Sequence, residues 1–435
     1  MYKIYIKQAW ALIRGERLFS SVYIVGTGLT ITLVMVLSIV FYVKIAPMYP
    51  ETERERMLVI RYAAVEYPSG GYSSSSLSSY LIREQVMPTE GLEAVAMVRR
   101  GSEATFVQPD GSPVQEPTVR MAVNEDFWKV FSFRFLEGKP FAEADVSGGL
   151  PVVVIARSLA RRVFGEGEAV GRTLSVNFEE FRVVGVVEDV SYLMDRVYAQ
   201  VWYPYTYDRE WERGERLNAE RNPGLGGFFC YALVKEGVSP RAVRERLRER
   251  FRAYGHSLGE ERVFTLHGAP DLHWESVFRY YSDVDLDLAG ELTRYGLILF
   301  FLLLVPAVSL SGMVESRMER RLAELGVRRA FGAPRGTLLG QVLAENLLYT
   351  ALGGAAGLLF SFLVAEGARS WVFKIGGGFT DVIPAGVEVS LPVSELLNPW
   401  VFAAALLVCF LLNVMSALWP AWRASRRPIV DSLNA

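Results

Sequence analysis

An uncharged apolar run of about 20 residues is what a helix needs to cross a hydrocarbon core of roughly 30 Å, and this chain carries four of them. The first is Val22 to Val43, closed by Lys44; the second is Tyr295 to Val314, between Arg294 and Glu315, with Pro306 inside. The third runs from Thr337 to Ala365 with Glu345 near its start, and the fourth from Trp400 to Trp419. Trp400, Trp419 and Trp422 fit an interfacial aromatic belt. The pattern predicts an α-helical membrane protein with four transmembrane helices, in keeping with 51% hydrophobic residues.

Cationic residues in the flanks set the orientation, because Lys and Arg are retained on the cytoplasmic side. Lys3, Lys7, Arg14 and Arg17 precede the first span; Arg317, Arg320, Arg321, Arg328, Arg329 and Arg335 lie between the second and third; Arg423, Arg426 and Arg427 follow the fourth. The segment between spans three and four has only Arg369 and Lys374 against Glu366, Asp381, Glu388 and Glu395. Both termini are therefore expected in the cytoplasm, and residues 44 to 294 outside. The first run is longer than the 7–15-residue apolar core of a signal peptide and ends in Phe-Tyr-Val-Lys, so it reads as a retained anchor. Ahead of it, Lys3, Lys7, Arg14 and Arg17 share one arc of a helical wheel opposite Tyr5, Ala9 and Leu12, the pattern of an amphipathic helix lying at the inner leaflet.

The outer segment is too long for a loop and is expected to be an α+β domain. Pro151 to Ile155 and Phe181 to Val187 are β-branched runs that read as strands; Asn124 to Val130 and Ser158 to Phe164 read as short helices. Ser69 to Ser79 reads as a Ser-rich loop. From Arg241 to Tyr254, Val243, Leu247 and Phe251 fall on one helix face, with Ser239 ahead as a cap. The arginines of residues 209 to 262 alternate with glutamates and read as solvated faces. The formal charge of -2 gives no reason to expect nucleic acid. Cys230 and Cys409 fall on different sides of a membrane boundary, so no disulfide is expected.

A search for reaction chemistry returns little. There is no G-x-x-x-x-G-K-[ST] phosphate loop, so the chain is not expected to hydrolyse ATP, and no G-x-S-x-G or H-E-x-x-H motif. His267 and His273 with Asp271 between them have the types of a weak metal site, but lone core or surface histidines fit better, and no catalytic, cofactor or metal residue is assigned. Gly353, Gly354 and Gly357 lie in the third span, where small residues allow close helix approach. Glu345 is a carboxylate within a span; near the start of the run it suits intramembrane coupling or packing better than a proton relay.

Between spans two and three, Met318, Leu322 and Leu325 share a helical face while arginines cover the rest, and Gly332 and Pro334 would end the helix. Within it the segment R-R-L-A-E-L-G-V-R-R-A-F-G-A, Arg320 to Ala333, resembles the cytosolic signature of permeases that combine a MacB-like periplasmic core domain with an FtsX-like membrane region. Glu324, Gly326, Arg328, Ala330, Gly332 and Ala333 carry it. Three further stretches resemble the same family in the same order: F-W-K-V-F-S-F-R-F-L-E-G-K-P-F from Phe127; P-V-V-V-I-A-R-S-L-A-R-R-V-F-G from Pro151 with F-R-V-V-G-V-V-E-D-V from Phe181; and the closing P-A-W-R-A-S-R-R-P-I-V-D-S-L from Pro420.

The resemblance implies residues 1–46 as the amphipathic helix and first span, 47–292 as a core domain with porter and Sabre-like subdomains, and 293–435 as the FtsX-like permease domain. It implies a bacterial inner-membrane ABC transporter permease, without a fused ATPase domain, paired with a second permease chain as homo- or heterodimer. ATP and Mg would sit on a separate dimeric cytoplasmic ABC ATPase. Arg320, Arg321, Glu324, Leu325, Gly326, Arg328, Ala330, Gly332 and Ala333 would contact that ATPase, and extensions of the first two spans, around Ile45 to Met57 and Asp285 to Thr293, would form a helical stalk. Motion would pass to the outer domain to export or extract lipophilic or peptide-like cargo, by mechanotransmission. Membrane lipids, a periplasmic adaptor and an outer-membrane factor are further partners the family suggests. The alternative role within the resemblance is a regulator that works a wall hydrolase or a signalling partner.

Overall fold

The computed structural model describes residues 10, 14–15, 17–68, 70–101, 105–108, 116–192, 194–279, 284–320, 335–367 and 399–426. Its chain divides into two compact units, one of long helices and one, residues 43–288, of mixed structure.

The four apolar runs all fall in helices: Arg17–Ile45, Leu288–Arg320, Arg335–Gly367 and Pro399–Arg426. Among the described residues, Ser20–Ile45 and Ala344–Val364 are long and apolar enough to cross a membrane, and Pro399–Val408 is a shorter apolar segment. In an apolar solvent these helices cannot be driven together by the hydrophobic effect, so small residues and interhelical hydrogen bonds decide their packing. The helix Arg17–Ile45 meets Arg335–Gly367 through such groups. A Cβ on Gly28 would stand 3.3 Å from the Gly353 carbonyl oxygen, and one on Gly357 would stand 2.7 Å from the Gly28 carbonyl oxygen. Beside this contact Thr32 Oγ1 donates to the Gly357 carbonyl at 3.1 Å, and Tyr23 Oη donates to Asn346 Oδ1 at 2.7 Å.

The mixed unit is built on a 12-stranded sheet. Its order is Asp271–Leu272, Met57–Ile60, Phe229–Val234, Leu92–Arg100, Arg120–Val123, Val201–Pro204, Val152–Ala156, Glu179–Val187, Thr173–Val176, Thr105–Gln108 and Glu116–Thr118, with Phe135–Gly138 pairing off the path along Glu179–Val187. Most neighbours are antiparallel; Val152–Ala156 runs parallel to Glu179–Val187, and Val201–Pro204 parallel to Arg120–Val123. Val152–Ala156 is buried along its whole length, which is why it reads as a continuous β-branched run and not as an alternation.

The aromatic motif from Phe127 is core. Phe127 and Phe131, one helical turn apart, and Phe133 and Phe135, alternate positions of an extended segment, deliver rings to the same place. Trp128 packs edge-on to Phe133, Phe135 and Phe141, with ring centroids 5.3, 5.3 and 5.4 Å away, and Phe133 meets Trp202 at 5.2 Å. Such tilted and edge-to-face pairs add to the area they bury.

A second, four-stranded sheet orders Leu225–Gly226, Tyr72–Leu77, Ala63–Glu66 and Val263–Thr265. It corrects the loop expected over Ser69 to Ser79: Tyr72–Leu77 is a strand, registered from Ala63 opposite Ser75 to Glu66 opposite Tyr72. Serine is a poor strand former, but backbone pairing on both sides outweighs that weak preference. The helix Pro240–Ser257 buries Val243, Leu247 and Phe251. Ser239 occupies its N-cap position without a side-chain capping bond; Pro240, which has no N–H, opens the helix, and the Ser239 carbonyl takes Ala242 N and Val243 N.

Candidate functional site

The most constrained polar cluster lies where the chain enters and leaves the mixed unit. The helix Arg17–Ile45 stops at once after Ile45. Pro47 follows Ala46 and can neither continue the backbone ladder nor leave its predecessor comfortably helical. The helical stalk expected from Ile45 to Met57 is thereby corrected: the segment holds a bridge between Met48 and Glu51 and one tight turn, Arg54–Arg56. On the exit side, residues 285–287 are likewise non-helical, and the next helix begins at Leu288.

The carbonyls freed at the end of the first helix are taken by one side chain. Arg54 Nη1 donates to the Val43 carbonyl at 2.7 Å and to the Ala46 carbonyl at 2.5 Å. Its Nε donates to Glu51 Oε2 at 2.8 Å, and its Nη2 reaches Met194 Sδ at 3.2 Å. Arg54 is 6% exposed and Glu51 1%, so this is a buried ion pair, and a guanidinium is suited to it because its planar fork serves several acceptors at once.

Glu51 Oε2 also lies 3.2 Å from Nε2 of His273, itself 2% exposed. Burial alone would raise the Glu51 carboxyl, but the Arg54 guanidinium, His273 and Arg196 together hold it well below the usual carboxylate range. Burial, reinforced by the Arg196 charge, pushes the His273 imidazole down to about 4 against the opposing pull of Glu51. Near neutral pH the pair is an ionised carboxylate and a neutral imidazole, and Nε2–H donates to Glu51 Oε2.

His273 opens the short helix His273–Ser276, whose far end is gripped in turn. Arg196 Nη2 donates to Ser276 Oγ at 2.9 Å, and Arg61 Nη2 donates to the carbonyls of Ser276 at 3.0 Å and Arg279 at 2.9 Å. Arg279 completes the exit side. It holds Asp271 with two bonds, Nε to Oδ2 at 2.6 Å and Nη2 to Oδ1 at 2.8 Å, while Nη1 donates to the carbonyls of His267 at 3.0 Å and Val284 at 2.9 Å. Asp271 lies in the strand that pairs with Met57–Ile60, opposite Val59. One guanidinium thus holds the chain where it enters, and another, through Asp271, ties the chain where it leaves to the strand Asp271–Leu272 of the large sheet. Residues separated by more than 200 positions are brought together, the Glu51 to His273 separation being 222.

The metal alternative for His267, Asp271 and His273 finds no support in this geometry. Asp271 is spent on Arg279 and His273 on Glu51, and no metal-holding group of His, Cys, Asp or Glu occurs among the described residues.

Of the residues assigned to ATPase contact, Arg320 is the last residue of the helix Leu288–Arg320; Arg321, Glu324, Leu325, Gly326, Arg328, Ala330, Gly332 and Ala333 lie outside the described residues. So does most of the amphipathic segment before Arg17. Glu345 is 4% exposed in the helix Arg335–Gly367, one residue before Asn346, the acceptor of Tyr23. Gly353 faces Thr27, where a Cβ would approach to 2.8 Å; Gly354 faces Leu406 at 2.6 Å. The sequence reading missed Arg54, Glu51 and Arg279. The signal present was Pro47 and Pro50 straight after the first span, which mark the helix end whose carbonyls need a donor.

Comparison with known proteins follows the same division. Residues 22–250 match the family described as MacB-like periplasmic core domain, and residues 296–429 match the FtsX-like permease C-terminal family. The macrolide export ATP-binding/permease protein MacB of Chromobacterium violaceum is 27% identical over 317 residues, 72% of this chain and 42% of that protein. MacB 1 of Aeromonas hydrophila is 28% identical over 354 residues, 80% of this chain and 46% of that protein. The chain therefore spans less than half the length of these relatives. The uncharacterized ABC transporter permease YknZ of Bacillus subtilis is 19% identical over 361 residues, covering 83% of this chain and 81% of that protein.

Proposed function

Because the chain belongs to the family of ABC transporter permeases that join a MacB-like periplasmic core domain to an FtsX-like permease region, we propose that it is the membrane subunit of a transporter powered by a separate ATPase. Proteins of this family reside in the inner membrane. In this reading the four long helices are four spans with both termini in the cytoplasm. The segment Arg320 to Ala333 docks on an ATPase dimer that carries ATP and Mg, and a second permease chain completes the pair. Motion started by ATP then passes into the extracytoplasmic domain, which acts on lipophilic or peptide-like cargo.

The observation that carries this reading is the arginine-rich joint. A domain that must follow a moving helix needs a stiff connection, and flexible linkers dissipate displacement. Arg54 takes the carbonyls of Val43 and Ala46, Glu51 joins it to His273 at the start of the helix His273–Ser276, and Arg279 is tied to Asp271 in a strand of the large sheet. Between Ile45 and Met57 the chain is held by ionic contacts and not by the helical extension that the resemblance implies, whereas Leu288 to Thr293 is helical.

The experiment is ATPase activity and cargo release of the reconstituted complex, with Glu324→Ala and Arg328→Ala in the docking segment and Arg54→Gln in the clasp. The docking variants are expected to lower ATPase stimulation by the permease. Arg54→Gln is expected to leave ATP turnover intact while lowering cargo release. Unchanged turnover, assembly and release in all three would remove the coupling role from these residues.

A further inference from the structure

A cleft of about 570 Å³, lined by none of the residues of the joint, opens in the mixed unit, within the size range of small-molecule sites. Its walls come from the turn holding Arg83, the helix Glu143–Gly148, Tyr205 and the helix Arg209–Ala219. Arginines predominate on one wall, with Glu212 among them, and Glu125 and Glu143 line another part.

One pole is cationic. Arg209, Glu212, Arg213 and Arg216 are spaced three or four apart around a shared residue set and so occupy one face of their helix, and all four line the cleft. Glu212 pairs with Arg216 at 2.8 Å. Arg209 and Arg213 lie one turn apart with no ion pair or hydrogen bond among the described residues, and Arg83, which acts on the buried Glu215 carboxylate, lines the same cleft. Like charges one turn apart cost an isolated helix about 0.2–0.5 kcal/mol, a cost with no structural return here.

The other pole is anionic. Glu125 and Glu143 line the same cleft, and Glu125 is raised by burial and by the nearby Asp126 and Glu143 carboxylates; the cation that opposes them is Lys129, and not any of the cleft arginines. Tyr205, 7% exposed, also lines the cleft, and its hydroxyl lies in the field of Arg83, Glu125, Glu212 and Glu215.

We propose that this cleft binds a zwitterion of the phosphoethanolamine class, its phosphate on Arg83, Arg209 and Arg213 and its ammonium at Glu125 and Glu143. Three guanidiniums offer forked donors to a group with several oxygens, the geometry in which arginine outperforms lysine. Two carboxylates without a cleft cation of their own suit an ammonium. The same chemistry is offered by free phosphoethanolamine compounds and by the headgroup of phosphatidylethanolamine. The site stands independently of the ATPase coupling proposed above, since binding is measured on the permease chain alone.

The test is isothermal titration of the full chain, purified in detergent, with three probes: O-phosphoethanolamine, inorganic phosphate, and dihexanoyl phosphatidylethanolamine below its micelle concentration. O-phosphoethanolamine is expected to bind at least roughly tenfold more tightly than inorganic phosphate. The exposed double variant Arg209→Gln/Arg213→Gln is expected to lose roughly tenfold or more for every probe with unchanged thermal unfolding. Glu143→Gln is expected to weaken the zwitterions only. Tighter binding of the short-chain lipid than of O-phosphoethanolamine identifies a lipid headgroup as the ligand; equal binding identifies a soluble one. Absence of saturable binding by both zwitterions overturns the proposal, as does Glu143→Gln acting equally on phosphate and zwitterion.

Discussion

Nε2 of His273 lies 3.2 Å from the same Glu51 oxygen that receives Arg54 Nε at 2.8 Å, so a neutral ring and a guanidinium share one buried carboxylate. The ring is held at about 4, below its ordinary 6.5. Between those values the unfolded chain binds a proton that the folded chain does not, so stability rises with pH there and is lost as pH falls from 6.5 towards 4. Glu51, whose folded value is lowered, adds a loss in the same direction once pH drops below the unfolded carboxylate range. The histidine share is about 3 kcal/mol at full extent. Thermal unfolding of the mixed unit, followed in the full chain from neutral pH to pH 4, is expected to show this slope. His273→Gln should flatten it between pH 6.5 and 4; an unaltered slope in that variant would show that the ring titrates normally.

The pair Arg54 and Glu51 is predicted to be strongly non-additive. Removing either partner leaves the other charge buried and unpaired, a loss of about 3–5 kcal/mol. Arg54→Gln and Glu51→Gln should each destabilise on that scale, whereas the double variant removes both charges and should recover part of the loss. A denaturant cycle across the four proteins measures it, with an expected interaction energy of about 1–3 kcal/mol. Full additivity would mean that the two side chains act separately.

Asp271→Asn tests the exit side. The variant keeps the shape but removes the charge that takes two bonds from Arg279, which also holds the carbonyls of His267 and Val284. Loss on the order of 3 kcal/mol is expected. Hydrogen exchange should locate it, with faster exchange in residues 267–279 and little change in the distant strand Thr173–Val176. Uniform acceleration over the whole sheet would contradict a local clasp.

How far these features were legible in the sequence depended on the range of the interaction. Runs such as Val22 to Val43, and the spacing of Val243, Leu247 and Phe251, report local periodicity, and the structure makes both helical. Val152–Ala156 was legible because burial on both faces selects β-branched residues throughout. Tyr72–Leu77 was not, because four serines in a row carry no strand signal and the strand exists through its partners Ala63–Glu66 and Leu225–Gly226. The clasp was hidden for the same reason more strongly. Arg54 looks like one arginine in a charged stretch, Glu-Thr-Glu-Arg-Glu-Arg, and nothing local distinguishes it from Arg56, which is part-exposed and bonds Glu53 and Glu93. What separates them is the pair of carbonyls at Val43 and Ala46, and only Pro47 and Pro50 after the first span hinted at those.

The packing of the two helices Arg17–Ile45 and Arg335–Gly367 yields the last prediction. At Gly357 an added methyl would stand 2.7 Å from the Gly28 carbonyl oxygen and 2.9 Å from Ile31 Cβ, so backbone and a β-branched side chain both block it. The helices would have to separate, weakening the Thr32 bond to the Gly357 carbonyl. Gly340 lies on the same helix with nothing within 4 Å of its added methyl, so it serves as the control. Gly357→Ala is expected to cost about 1–3 kcal/mol through overpacking. Gly340→Ala should be neutral or stabilise by up to about 1 kcal/mol, because alanine is the better helix former. Thermal unfolding of the two variants in one detergent compares them directly, and equal effects would mean that glycine at 357 matters for helix propensity and not for the approach of the two backbones.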